Sequence, residues 1–214
     1  MRDIAGHLST PIEAIDQQLH ELKQGVSEKE KEILENSLKK VKGFVERLND
    51  IIHAKKIYEN IQVFDPCFQI KQNLSYIQTL AQKNDISFDH SLDSQSLVSF
   101  NIQAFDEIVM NLVGNAIKYR RLDVKSEVKL STSIQDQFFV MRVKDNGLGI
   151  KEENIPHLFN RFYRVEGADV QGTGLGLAFC KEMLQDSGGY LSVESSYGSG
   201  SVFSVYIPLV KKPS

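Results

Sequence analysis

The chain has 214 residues, of which 41% are hydrophobic and 25% are charged, with a formal net charge of −3. This composition is ordinary for a globular protein, and the negative balance argues against nucleic acid as the main partner. No apolar run reaches the roughly 20 residues that span a bilayer, and the first residues lack an apolar signal core, so we expect no membrane contact and a cytoplasmic location. The distant cysteines Cys67 and Cys180 fit a reducing compartment.

Apolar residues at helical spacing predict two helices near the start of the chain. The first ends at Gly25, and a capping box of Ser27 and Glu30 begins the second, whose apolar stripe extends to Ile52. The short connection predicts an antiparallel helical hairpin, and its apolar faces exceed what one hairpin can bury. We therefore expect residues 1–58 to form a homodimeric four-helix bundle; the alternative is a monomer whose hairpin packs on the rest of the chain.

The pattern after residue 58 mixes helices with strands. A linker is predicted over 55–66. Helices are predicted over 67–83, 104–119 and 175–187, a short strand over 86–88, and two hairpins over 128–144 and 190–207. Helices on one face of a mixed sheet predict a two-layer α/β sandwich over residues 59–214, so the fold class of the whole chain is α+β.

Three polar motifs in the second region predict a nucleotide pocket. Residues 111–119 carry two asparagines four apart on one helix face, residues 145–149 join an aspartate to two glycines, and residues 172–177 hold three glycines. ATP needs a carboxylate that accepts from the adenine amino group, amide oxygens near Mg²⁺, and glycines that let backbone N–H groups approach phosphate oxygens. We therefore expect ATP and Mg²⁺ as cofactors.

These motifs resemble the catalytic core of a two-component sensor histidine kinase, with an ATP domain of the histidine-kinase/Hsp90-like ATPase type. Residues 111–119 resemble its N box, 145–149 its G1 box, 158–164 its F box, 172–177 its G2 box and 3–12 its H box. The resemblance implies a homodimer that transfers phosphate from ATP to a histidine and then to an aspartate on a response-regulator receiver domain. It also implies a cytoplasmic protein or the cytoplasmic portion of a membrane sensor.

The resemblance also implies roles for residues in the ATP site. It makes Asn115 the Mg²⁺ ligand and places Asn111 and Lys118 near the phosphates. Tyr119 would lie against the adenine, whose amino group Asp145 would recognise. The other implied ATP contacts are Gly147, Gly149, Ile150, Phe159, Arg161, Gly172, Thr173, Gly174, Leu175, Gly176 and Leu177. We expect residues 161–171 to form a mobile lid, anchored in apolar surface by Phe159 and Phe162.

The H box departs from the family pattern at the phosphate acceptor. Counting back five residues from Pro11 places Gly6 at the acceptor position, and His7 takes the place of the usual acid. One helical residue is about 100° of rotation, so His7 would point away from the usual direction. His7 has three interpretations: a solvated helix histidine, a shifted acceptor, or part of an altered H box. Thr10, which the resemblance assigns to phosphatase chemistry, is intact.

Three function classes are compatible with these residues. The first is a histidine kinase core, and the second is a kinase-inactive ATP-binding scaffold or response-regulator phosphatase. The third is another ATPase of the same nucleotide fold, as in chaperones, gyrases or mismatch-repair proteins. The helical hairpin with Thr10 and Pro11, and the compact glycine box at 172–177, argue against the third class.

Overall fold

The computed structural model describes residues 60–92, 96–165 and 174–210. The helical hairpin and four-helix bundle predicted for residues 1–58 lie outside these ranges, and so does the predicted division at residue 58. The described elements are β1 (Ile61–Phe64), α1 (Pro66–Lys83), β2 (Ile86–Leu92), β3 (Val98–Asn101), α2 (Ile102–Lys118), β4 (Ser126–Gln135), β5 (Phe138–Asp145), a 3-10 helix (Glu152–His157), α3 (Gly176–Asp186), β6 (Tyr190–Ser196) and β7 (Gly200–Pro208).

A five-stranded mixed sheet is the main layer of the described region. Its strand order is β2-β4-β5-β7-β6, with β2 parallel to β4 and the other neighbours antiparallel. The α/β fold expected from the sequence is confirmed. The central strand β5 ends at Asp145, which pairs with Ser201 of β7. The Asp145 carboxylate therefore lies at the end of an inner strand of the sheet.

The core lies between this sheet and the helices. In β5 the alternate residues Phe139, Met141 and Val143 are buried in the same hydrophobic cluster as the inner face of α2, as the two-residue period of a strand requires. Helix α2 begins where the Asn101 side chain accepts a hydrogen bond from the Ala104 N–H at 2.9 Å. This packing fixes the helix that carries residues 111–119 against the sheet.

The predicted linker over 55–66 is wrong in its last residues, because Ile61–Phe64 is a strand. It pairs antiparallel with β3, a strand that the sequence pattern did not predict. The Phe64 ring packs edge-on against Phe105 at 5.5 Å between centroids, which ties this small sheet to the core. The Asp65-Pro66 pair does not break the chain: Asp65 caps α1, and Pro66 is its first residue.

An aromatic cluster covers part of the sheet face opposite to the one that carries Phe139. The rings of Tyr190 and Tyr206 stack with centroids 4.1 Å apart and planes 9° apart. Phe138 meets both rings edge-on, and Val140, which pairs with Tyr206, is fully buried. The cluster joins the β6–β7 hairpin to the central strand. Within the described ranges, no helix is long and apolar enough to cross a membrane.

Candidate nucleotide-binding site

Asp145 is a half-buried carboxylate at the end of β5. Its Oδ1 accepts a hydrogen bond from the Gly147 N–H at 2.8 Å. Burial raises the pKa of Asp145 above its usual value, and the backbone N–H groups of Gly147 and Ser201 offset only part of that increase. A carboxylate held this way still has acceptor capacity for an N–H donor of a ligand.

The loop after Asp145 is bound on both sides by backbone contacts. The Leu148 N–H donates to the Tyr119 carbonyl at 2.9 Å, and the Gly198 N–H donates to the Leu148 carbonyl at 2.7 Å. A Cβ on Gly147 would clash with the Tyr119 carbonyl. Gly149 has φ 65° and lies directly against the Ser196 carbonyl, so a side chain is excluded there as well. The loop therefore fits closely between the end of α2 and the β6–β7 turn.

The contact between α2 and α3 brings the first and third motifs together. Asn111 and Asn115 are half-buried and stand one turn apart on α2. A Cβ on Gly176, the first residue of α3, would clash with the Asn111 side-chain oxygen. The N-terminus of α3, whose first N–H groups have no acceptor within the helix itself, thus lies beside the Asn111 amide, and such a helix end favours an anion.

Two cations lie close together near the end of α2. Burial lowers the pKa of Lys118, and the nearby charge of Arg164 lowers it further. The Lys118 ammonium also lies 5.2 Å from the centroid of the Tyr119 ring. An anion between Lys118 and Arg164 would relieve their repulsion. Arg164 is absent from the site residues predicted from the sequence, although it is the last residue of the segment that resembles the F box.

The F-box segment is attached to α3 by a side-chain ion pair and to Gly174, two residues before α3, by one backbone bond. Phe159 packs against the core, whereas Phe162 is 53% exposed, so the prediction that Phe162 anchors the segment in apolar surface is wrong. Phe162 has a left-handed backbone, φ 67°, and its N–H donates to the Gly174 carbonyl at 2.9 Å. The Arg161 guanidinium donates two hydrogen bonds to Glu182 of α3, at 2.7 and 2.9 Å.

Two serines that no sequence motif predicted lie behind the Asp145 loop. Ser195 accepts a hydrogen bond from the Ile150 N–H at 2.9 Å, and its oxygen lies 2.9 Å from that of the buried Ser201. Arg121 also supports this region, since it donates to the Gly198 carbonyl at 2.6 Å. No spacing rule points to these residues; the nearest signal is the glycine-rich turn at 197–200.

Several predicted site residues lie outside the described ranges, namely Gly6, His7, Thr10, Gly172 and Thr173, together with most of the predicted lid. Leu175 and Leu177 are half-buried at the start of α3, and Ile150 ends the Asp145 loop. The structure thus brings together the described members of all three motifs around the end of α2.

The donor set fits a magnesium nucleotide better than a metal bound by protein alone. Among the described residues, no group of three or more His, Cys, Asp or Glu side chains could hold a metal ion. Mg²⁺ commonly keeps several waters and uses one or two protein oxygens with substrate phosphates. One amide oxygen of Asn115, one turn along α2 from Asn111, is compatible with that chemistry.

Comparison with known proteins identifies the family. The family model described as histidine kinase-, DNA gyrase B- and HSP90-like ATPase matches residues 101–211. The sensor protein RprX of Bacteroides fragilis is 36% identical over 107 residues, which cover 49% of this chain and 21% of that protein. The sensor protein SrrB of Staphylococcus aureus is 26% identical over 220 residues, which cover 96% of this chain and 37% of that protein. The chain therefore spans well under half the length of these relatives.

Solved structures give the same result. The catalytic domain of histidine kinase ThkA has a TM-score of 0.61 and 25% identity, and the match covers 70% of this chain and 95% of that one. The histidine kinase AdeS of Acinetobacter baumannii has a TM-score of 0.65 over 94% of this chain and 95% of that one, and at 20% identity it shows the fold alone. The chain belongs to the histidine kinase-, DNA gyrase B- and HSP90-like ATPase family and contains the ATP-binding catalytic region of a sensor histidine kinase.

Proposed function

We propose that this chain binds Mg·ATP and serves as the phosphoryl-transfer core of a two-component system. The observation that carries this proposal is the pair of close glycine contacts, Gly147 on Tyr119 and Gly176 on Asn111. They join the described members of the three motifs into one set of donors and acceptors. In the reaction, the terminal phosphoryl group of ATP passes to an imidazole nitrogen, leaving ADP, and then to a receiver aspartate.

The proposed roles follow the chemistry of each group. Asp145 accepts from the adenine amino group, and the close backbone contacts of Gly147 and Gly149 hold the loop after it in place. Asn111, Lys118 and the N-terminus of α3 face the phosphates. Asn115 would hold Mg²⁺, and the bound ion would supply positive charge to the phosphate oxygens.

In the same proposal, residues 1–58 form the dimerisation and phosphotransfer hairpin, and residues 59–214 form the ATP domain. The hairpin also docks a response-regulator receiver. Gly6 carries no nucleophile at the acceptor position, which favours a second candidate: a kinase-inactive scaffold or a phosphatase that uses Thr10.

Phosphate labelling separates these candidates. With ATP labelled on its terminal phosphate, we expect little acid-labile, base-stable label on the unmodified chain and strong label on the Gly6→His, His7→Asp double variant. The two changes restore the nucleophile and its carboxylate in the register fixed by Pro11.

The other outcomes are equally informative. Strong label on the unmodified chain that disappears in His7→Ala would make His7 the acceptor and overturn the assignment of Gly6. If neither form is labelled although ATP binds, the phosphatase or scaffold is favoured, and Thr10→Ala should then abolish dephosphorylation of a cognate receiver.

A further inference from the structure

Ser195 joins the Asp145 loop to the β6–β7 hairpin through a single hydroxyl group. Its oxygen lies 2.9 Å from each of three atoms: the Ile150 nitrogen, the Gly200 carbonyl oxygen and the Ser201 hydroxyl. Ser195 is half-buried and Ser201 is 7% exposed, so little water competes for these bonds.

The three contacts match the full capacity of a serine hydroxyl, which has one donor and two acceptor sites. The Ile150 N–H and the Ser201 hydroxyl donate to Ser195, and Ser195 donates to the Gly200 carbonyl. Gly200 in turn has φ 101° and lies against the Asp145 carbonyl, where a Cβ would clash. Ser195 therefore connects Ile150, at the end of the loop, to Gly200, whose backbone lies against Asp145 at the start of the loop.

We infer that Ser195 is a positioning residue for base recognition, an inference that rests on the proposed binding of Mg·ATP. Discrimination of adenine requires the Asp145 carboxylate and the backbone after it to keep a fixed separation. Without the hydroxyl, the Ile150 N–H and the Gly200 carbonyl lose their shared partner, so the end of the loop at Ile150 is held less firmly relative to Asp145. The phosphate-facing groups on α2 and α3 make none of these bonds.

The test uses a matched pair of variants of the full chain, Ser195→Val and Ser195→Thr, which have the same shape and differ in the hydroxyl group. Calorimetry with Mg·ATP and Mg·GTP measures both affinities. We expect Ser195→Thr to keep the wild-type preference for ATP, and Ser195→Val to lose about tenfold in ATP affinity with little change for GTP. Ser192→Val, three residues earlier and therefore on the opposite face of β6, is the control and should behave as wild type.

The outcomes are distinguishable. Wild-type discrimination in Ser195→Val, or equal losses in the Val and Thr variants, overturns the role of the hydroxyl while ATP binding stands. Failure of the wild type to bind ATP overturns both this inference and the proposed function. If Ser195→Val does not fold, as judged by circular dichroism, Ser195→Ala replaces it: a selective loss for ATP supports the inference, and wild-type discrimination overturns it.

Discussion

The two sides of the candidate site are held in different ways. On the side of Asp145, the loop is fixed by backbone hydrogen bonds of 2.7 and 2.9 Å and by glycines that admit no side chain. On the side of the F-box segment, one backbone bond from Phe162 to Gly174 is joined by an ion pair between Arg161 and Glu182 of α3, whose side chains are 60% and 37% exposed. Solvent weakens an exposed ion pair, whereas moving closely packed backbone costs free energy because no equally well packed arrangement is available. We therefore expect base recognition to depend on rigid packing and the F-box segment to tolerate change.

The largest effect should come from Asp145→Ala. Removing this half-buried acceptor should cost about 1.5–3 kcal/mol of binding free energy, or roughly ten- to hundredfold in Mg·ATP affinity, as calorimetry would measure. Asp89→Ala, an exposed carboxylate on β2, is the control. Equal affinity of wild type and Asp145→Ala would remove Asp145 from adenine recognition.

A smaller loss is expected from Gly176→Ala. The new Cβ would clash with the Asn111 side-chain oxygen, so this side chain must turn aside, at a cost of about 0.5–1.5 kcal/mol of stability. The Kd for Mg·ATP should rise several-fold with it. Gly114→Ala on α2 is the control, because a Cβ there meets no atom within 4 Å and the change favours helix. Similar melting temperatures and Kd values for the two variants would contradict the close fit.

The stability of the protein should depend on pH through the Asp145 carboxyl group. Because burial raises its folded pKa above the usual 3.8, the folded state holds more protons than the unfolded state between 3.8 and the raised pKa. Stability attributable to this group therefore falls as pH rises through that window. Asp145→Asn, which keeps the oxygen that accepts from Gly147, should be more stable than wild type at neutral pH.

Thermal melts at a series of pH values would measure this difference, which should shrink as pH falls toward 3.8. A difference between wild type and Asp145→Asn that does not change with pH would contradict the burial argument. The gain in stability should accompany weaker ATP binding, since an amide is a poorer acceptor than a carboxylate.

The smallest effect should come from the Arg161–Glu182 pair. A double-mutant cycle with Arg161→Ala and Glu182→Ala should give a coupling energy of about 0.2–1 kcal/mol in thermal or urea unfolding. Added salt should reduce it further. A coupling above about 2 kcal/mol, outside the range for exposed pairs, would show that the F-box side is held as firmly as the Asp145 side.

The sequence predicted local features well and long-range contacts poorly. Helix α2 and the hairpin of β4 and β5 follow from apolar periodicity, and the types of the site residues follow from the chemistry of ATP. Strand β1 was missed because its partner β3 lies far along the chain and its four residues carry no clear alternation. The Ser195 contacts were missed for a related reason: serine is common in strands and turns, and only the folded register places its hydroxyl beside the Ile150 N–H.

The aromatic cluster on the outer sheet face has a practical consequence for spectroscopy. The chain contains no tryptophan and 7 tyrosines, so its near-ultraviolet signal comes mainly from tyrosine. Tyr190 and Tyr206, stacked 4.1 Å apart, lie within range for their electronic transitions to couple. They belong to the hairpin that carries Ser195. Near-ultraviolet circular dichroism therefore contains a contribution from this hairpin without a label, while the far-ultraviolet signal follows the helices.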